Sequence, residues 1–193
     1  MVKPERDNLI LAYNGVDGFC AAAAALLYHP KAEIVMTSAS RIGRTFSRLA
    51  GEIKGRCTIQ VCGVGFFCDW EEIEKPALEL KKRGVDIRWY CGRGYLEQYR
   101  EKIGTVALPV FLECRTNAEA VCRHLGLDRN LWANQLMKIA ASDPNLDSGI
   151  VEPEIAEWRD LILAAITTFL KYQDEAVCPA AIKKLTVLKF APE

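Results

Sequence analysis

The chain has 193 residues, half of them hydrophobic, with 25 basic against 25 acidic side chains. That composition supplies a sizeable buried core and leaves out the strongly basic footprint of a general nucleic-acid binder. No apolar run reaches membrane-spanning length, and the first residues, MVKPERDN, lack the apolar segment of a secretory signal.

In chain order, Asn8–Tyr13 reads as an apolar strand. It runs through the turn Tyr13-Asn14-Gly15-Val16-Asp17-Gly18 into a small-residue helix, Asp17–Tyr28, stopped by Pro30. Asp17 is expected to cap that helix. Glu33–Met36 reads as a strand, Arg44–Ile53 as a helix and Thr58–Cys62 as a strand. Asp69 opens the next helix, with Glu72 three residues on as a capping box, and Gly84 ends it. Val85–Tyr90 is a strand, Leu96–Lys102 a short helix and Val106–Leu112 a further strand. Thr116 and Glu119 form a second capping box for a helix to Leu125, and Leu131–Ala141 is the helix after it.

This alternation predicts an α/β fold, a five-stranded parallel sheet with helices on both faces. It fills residues 1–145. Linker-like composition appears at Asp143–Pro153, so residues 146–193 read as a C-terminal helical extension, packed on the main domain or on a partner. There Ile155, Trp158, Leu161, Ile162, Ala165 and Phe169 recur at helical spacing. The tail Ala180–Phe190 fits helix or strand.

Eight cysteines are scattered without a CxxC pair. They read as reduced thiols of a cytoplasmic protein, mostly small buried hydrophobes. Cys62 and Cys91 follow strands and are expected to flank one cleft, with Cys20 in the first turn of its helix. A thiolate or soft-metal role for them is a minor alternative, because no histidine stands close in sequence to act as a base.

From Asn8 to about Asp143 the order of elements resembles the DHH phosphoesterases, the family of RecJ-type exonucleases, nano-RNases and pyrophosphatases. The family's first motif is His-x-Asp-x-Asp-Gly, and the matching stretch here is Tyr13-x-Gly15-x-Asp17-Gly18. Gly63 stands at the second motif's Asp, and Cys91-Gly92-Arg93 replaces Asp-His-His. Asp143 matches the fourth motif's Asp, and Thr116–Leu127 resembles the helix after the fifth strand. The family's chemistry uses two Mn²⁺ or Mg²⁺ ions held by Asp and His. Here Gly15, Gly63 and Gly92 offer no side-chain ligand, and Tyr13 and Arg93 do not replace histidine. Only Asp17 and Asp143 remain as residual catalytic candidates, so neither a metal site nor another cofactor is expected. The family's second, substrate-binding domain has no counterpart in the sequence.

The strand ends carry arginines instead. Arg41, Arg44, Arg93 and Arg115, with Asn14, Gly15, Gly18 and Gly63, are the expected ligand-binding residues. They read as a basic pocket for a phosphate-bearing ligand, a nucleotide or a nucleic-acid end. Phe66-Phe67-Cys68-Asp69-Trp70 is an aromatic-rich loop at the same edge, read first as a hydrophobic staple around the capping box and second as a surface to stack a base. The expected function is non-catalytic binding or scaffolding. Two alternatives stand beside it: a phosphoesterase with altered metal use, and a structural subunit that binds a protein partner or a second copy through the 154–172 helix. No membrane partner is expected.

Overall fold

The computed structural model describes residues 8–65, 69–92, 96–146, 151–172, 174 and 176–187. Five strands form one all-parallel sheet: β1 (Asn8–Tyr13), β2 (Glu33–Thr37), β3 (Thr58–Cys62), β4 (Asp86–Cys91) and β5 (Leu108–Phe111), in the order β2-β1-β3-β4-β5. The α/β class predicted from the alternation of elements is the class observed.

Period-two alternation divides the core between the two faces. Leu9 and Leu11 of β1 face one side with Ile59 and Val61 of β3, and Ile10 and Ala12 face the other. The first side is covered by α2 (Ile42–Glu52), α3 (Trp70–Lys82) and α4 (Arg100–Val106). The second is covered by α1 (Val16–Tyr28), α5 (Asn117–His124) and α6 (Leu131–Ala141). Two more helices, α7 (Pro153–Tyr172) and α8 (Val177–Leu185), close that second core with fully buried Ile162 and Ile182. The C-terminal helices therefore bury their apolar stripe against α1, within the same core.

Helix α1 explains its own alanine run. Residues Ala21–Ala25 are all fully buried, because α1 lies between the sheet and a second shell of helices. Small side chains let the layers approach closely on every side. Gly84 ends α3 as expected, with its N–H donating to Lys81 O and that of Val85 to Leu80 O.

Four local expectations change. Asp69 precedes α3 but its side chain makes no capping bond, so the capping box with Glu72 does not form. Helix α4 runs on to Val106, where a strand was expected to begin, because Ile103 and Val106 share its buried face. Strand β5 is correspondingly short. The ambiguous tail is helical over Val177–Leu185, and residues from 188 lie outside the described ones. Among the described residues, no helix is long and apolar enough to cross a membrane.

Candidate functional site

The β2-β1-β3-β4-β5 order reverses direction between β1 and β3, and ligands of open α/β sheets bind outside such a point. Among the described residues, Asp17 and the start of α5 meet at that crevice. Asp17, 4% exposed, does not cap its own helix; Gly15 is the N-cap of α1. Asp17 instead reaches across the fold to the start of α5. Its Oδ2 accepts from Asn117 N at 2.9 Å and Asn117 Nδ2 at 2.8 Å, and its Oδ1 from Ala118 N at 2.9 Å. A carboxylate is thus held at the positive pole of α5.

Asn117 continues the network. Its Oδ1 accepts from Gly92 N at 3.0 Å, so one side chain ties the ends of α1 and β4 to α5. Thr116 Oγ1 caps α5 by accepting from Glu119 N at 3.1 Å, as its spacing predicts. The return bond of the box goes one residue further back, from Arg115 N to Glu119 Oε2.

This packing accounts for the glycines at the strand ends. A Cβ on Gly63 would lie 2.7 Å from Asn117 Nδ2, and one on Gly92 would lie 2.0 Å from Thr116 O. A Cβ on Gly18 would lie 2.4 Å from Tyr13 O. These three glycines permit close backbone approach, and the space over Gly63 and Gly92 belongs to α5.

A dinuclear metal centre does not fit this arrangement. Three N–H donors occupy Asp17, and hard cations need free carboxylate oxygens. Asp143, 7% exposed, accepts from Asn145 N and Nδ2, each at 2.9 Å, in a turn closed by its own side chain. Both carboxylates act on the buried thiol of Cys20, which burial first, then Asp17, pushes well up. Among the described residues, no three His, Cys, Asp or Glu side chains converge to hold a metal ion. The chain's two histidines lie elsewhere, at the C-terminal ends of α1 and α5. Burial and then Arg88 of β4 lower the pKa of both His29 and His124.

Among the described residues, an open space lies over the ends of β1 and β2. A groove of about 370 Å³ is lined by Tyr13, Asn14, the stretch Met36–Arg41, and Phe169 and Leu170 of α7. Its polar end carries the exposed Arg41 with Ser38 and Ser40, whose hydroxyls are 3.2 Å apart. Two buried threonines brace that end. Thr37 Oγ1 lies 2.9 Å from Thr45 Oγ1, and Thr45 Oγ1 donates to Arg41 O at 3.0 Å. Among the described residues, no acidic residue lines the groove or stands in the first turn of α2. Arg41 makes no ion pair among the described residues.

The expected arginine cluster is divided. Arg41 and Asn14 share the groove, while Arg44 is exposed on the first turn of α2 and does not line it. Arg115 lines a smaller hollow of about 190 Å³ with Lys138, Ser142 and Glu152. It directly precedes Thr116 and Asn117, which pack on Gly92 and Asp17, and its hollow shares no lining residue with the groove of Arg41. Gly15 and Gly18 shape the turn beside the groove, and Gly63 lies under Asn117. Arg93, Phe66, Phe67 and Cys68 lie outside the described residues. Phe169 and Leu170 were not foreseen as site residues, because the spacing of α7 marks a packing stripe without showing where its last turns project.

Cys62 and Cys91 do not flank one cleft. Strand alternation sends Cys62 into the α1 core and Cys91 into the α3 core. Burial, reinforced by Asp17, raises the Cys62 thiol far above its ordinary value. Burial and then Glu119 push Cys114 up to about 11, and burial and Asp128 push Cys122 up to about 12. Such thiols are poor nucleophiles at neutral pH. Iodoacetamide at pH 7.5, read by peptide mass spectrometry, is therefore expected to label half-buried Cys114 slowly, and Cys20 and Cys62 only after denaturation. Rapid labelling of native Cys62 would restore the thiolate alternative.

No protein-family model matches the chain, and no curated protein matches it in sequence. Among solved structures it is similar to an uncharacterized protein from Helicobacter pylori G27, with a TM-score of 0.56 at 12% identity. The match covers 93% of this chain but 60% of that one, so the chain spans under two thirds of its neighbour's length. At this identity the likeness is one of fold alone.

Proposed function

We propose that this chain is a non-catalytic binding protein that takes a phosphate-bearing ligand, without metal, in the groove between the ends of β1 and β2 and the end of α7. One observation carries the reading: Arg41 stands beside Ser38 and Ser40 in a groove that, among the described residues, no acidic side chain lines. Guanidinium and hydroxyl donors recognise phosphate by charge-assisted hydrogen bonds. The threonine pair holds the Arg41 backbone in place before any ligand arrives, which lowers the entropy cost of binding. The resemblance to DHH phosphoesterases supports the absence of hydrolysis, since the motif positions carry Gly15, Gly63 and Gly92 and Asp17 serves α5.

The assembly alternative draws less support. Helix α7 directs Ile155, Ile162, Ala165 and Ile166 into its own core, leaving Leu170 and Tyr172 exposed near its end.

The test is a thermal-shift titration in EDTA with inorganic phosphate, ribose 5-phosphate, AMP and a 5′-phosphorylated tetranucleotide. A ligand that binds only the native state raises the melting temperature. At least one of these is expected to do so, and Arg41→Ala is expected to weaken it about tenfold or more, the range of a lost charged hydrogen bond. Equal shifts in wild type and Arg41→Ala would remove Arg41 from the site. Manganese-dependent hydrolysis of a bis-nitrophenyl phosphodiester would favour the enzymatic alternative.

A further inference from the structure

We infer that the groove is made for a nucleoside monophosphate, with the phosphate at Arg41 and the base against the aromatic wall formed by Tyr13 and Phe169. This inference rests on the phosphate-binding reading above and narrows it to one ligand class.

The charge in the groove sets the number of phosphates. Among the described residues, Arg41 is the one cation lining it, and no acidic side chain lines it. One guanidinium matches one phosphate. A di- or triphosphate brings further charges that need additional cations or a metal ion, and no metal-ligand cluster exists among the described residues.

The shape gives the rest of the ligand. A volume of about 370 Å³ is at the small end of ligand sites, which run from ~300 to 1,000 Å³, and suits a mononucleotide rather than an extended strand. The lining also includes the apolar side chains of Met36, Phe169 and Leu170 and the ring of Tyr13. Tyr13 is 37% exposed, although it ends β1, an inner strand of the sheet. Gly15 allows its ring to sit there, since a Cβ at that position would lie 2.9 Å from Tyr13 Cε1. An aromatic surface left open beside a cationic end is what a stacked base requires.

Phe169 makes the C-terminal extension part of the site. Ala165 and Ile166, one turn earlier on α7, are buried in the α1 core and fix where Phe169 projects. The half-buried Phe169 packs against that core and also lines the groove. Phosphate recognition then belongs to the α/β domain, and base recognition is shared with α7.

Isothermal titration in EDTA separates the two levels, using AMP, ribose 5-phosphate, ATP and a 5′-phosphorylated tetranucleotide. AMP is expected to bind at least tenfold more tightly than ribose 5-phosphate, and neither ATP nor the tetranucleotide more tightly than AMP. Phe169→Leu keeps an apolar side chain in the core and removes the ring. It is expected to bring AMP down about tenfold while leaving ribose 5-phosphate unchanged, and Tyr13→Leu is expected to act likewise. Thermal melts of both variants confirm that they are folded. Equal affinity for AMP and ribose 5-phosphate would overturn the nucleotide inference and leave the phosphate site standing. So would tighter binding of ATP or the tetranucleotide, or a Phe169→Leu variant that binds AMP like wild type. Failure of every phosphate compound to bind would overturn both readings together.

Discussion

Replacing Asp17 by alanine is expected to destabilise the protein by about 3–5 kcal/mol, the scale when three buried donors lose their acceptor together. Three donors lose their acceptor at once: Asn117 N, Asn117 Nδ2 and Ala118 N. Each stranded buried donor carries its full desolvation cost, and α5 loses the carboxylate at its positive pole. Asp17→Asn keeps the shape but turns an amide donor toward other donors, so about half of that loss is expected. Urea unfolding followed by far-ultraviolet circular dichroism measures both. An Asp17→Ala variant with the wild-type midpoint would show that α5 does not depend on this carboxylate. The prediction also changes how activity in such a variant is read. Under the proposed resemblance to DHH phosphoesterases Asp17 would stand at a metal-ligand position, but loss of function in Asp17→Ala is expected from the fold alone. Ligand binding must therefore be tested at Arg41 and Phe169, which line the groove without belonging to this network.

The same residue shows where sequence reasoning stops. Asp17 at the start of a helix reads as that helix's cap, because capping is judged from neighbours in the chain. Its partner, Asn117, is 100 positions away. Thr116 was legible as a cap because its acceptor and donor are three residues apart. The parallel sheet was legible from the alternation of strands and helices, but strand order was not. Four arginines after strands look equivalent in sequence. In the fold Arg41 lines the groove over β1 and β2, while Arg115 is carried to the start of α5 and lines a separate hollow. The glycines at 63 and 92 were legible as missing side chains. What occupies the space above them depends on the docking of α5, which local pattern does not encode. Phe169 has the spacing of a core residue and is partly one; its second role comes from where α7 ends relative to β1 and β2.

Trp89→Ala is expected to cost about 3–5 kcal/mol, the range for removing a large buried aromatic side chain. Trp89 is fully buried in β4 and stacks on Phe46 of α2, with ring centroids 6.0 Å apart at 18°. Its indole also has a specific partner, since Nε1 donates to Val64 O at 2.8 Å. Val64 lies just beyond β3, next to the glycine that sits under Asn117. The strand end is therefore held from both faces of the sheet, by Asn117 on the α5 side and by Trp89 on the α2 side. Trp89→Phe separates the two contributions of the indole. It retains most of the apolar contact and leaves Val64 O without its donor, so a smaller loss of about 1–3 kcal/mol is expected. Hydrogen exchange should localise the effect. In Trp89→Phe the amides just after β3 are expected to exchange faster, while those in the interior of α1 keep their protection relative to the new global stability. Uniform acceleration throughout the chain, with nothing extra at residues 63–65, would mean that the indole bond does not hold this turn.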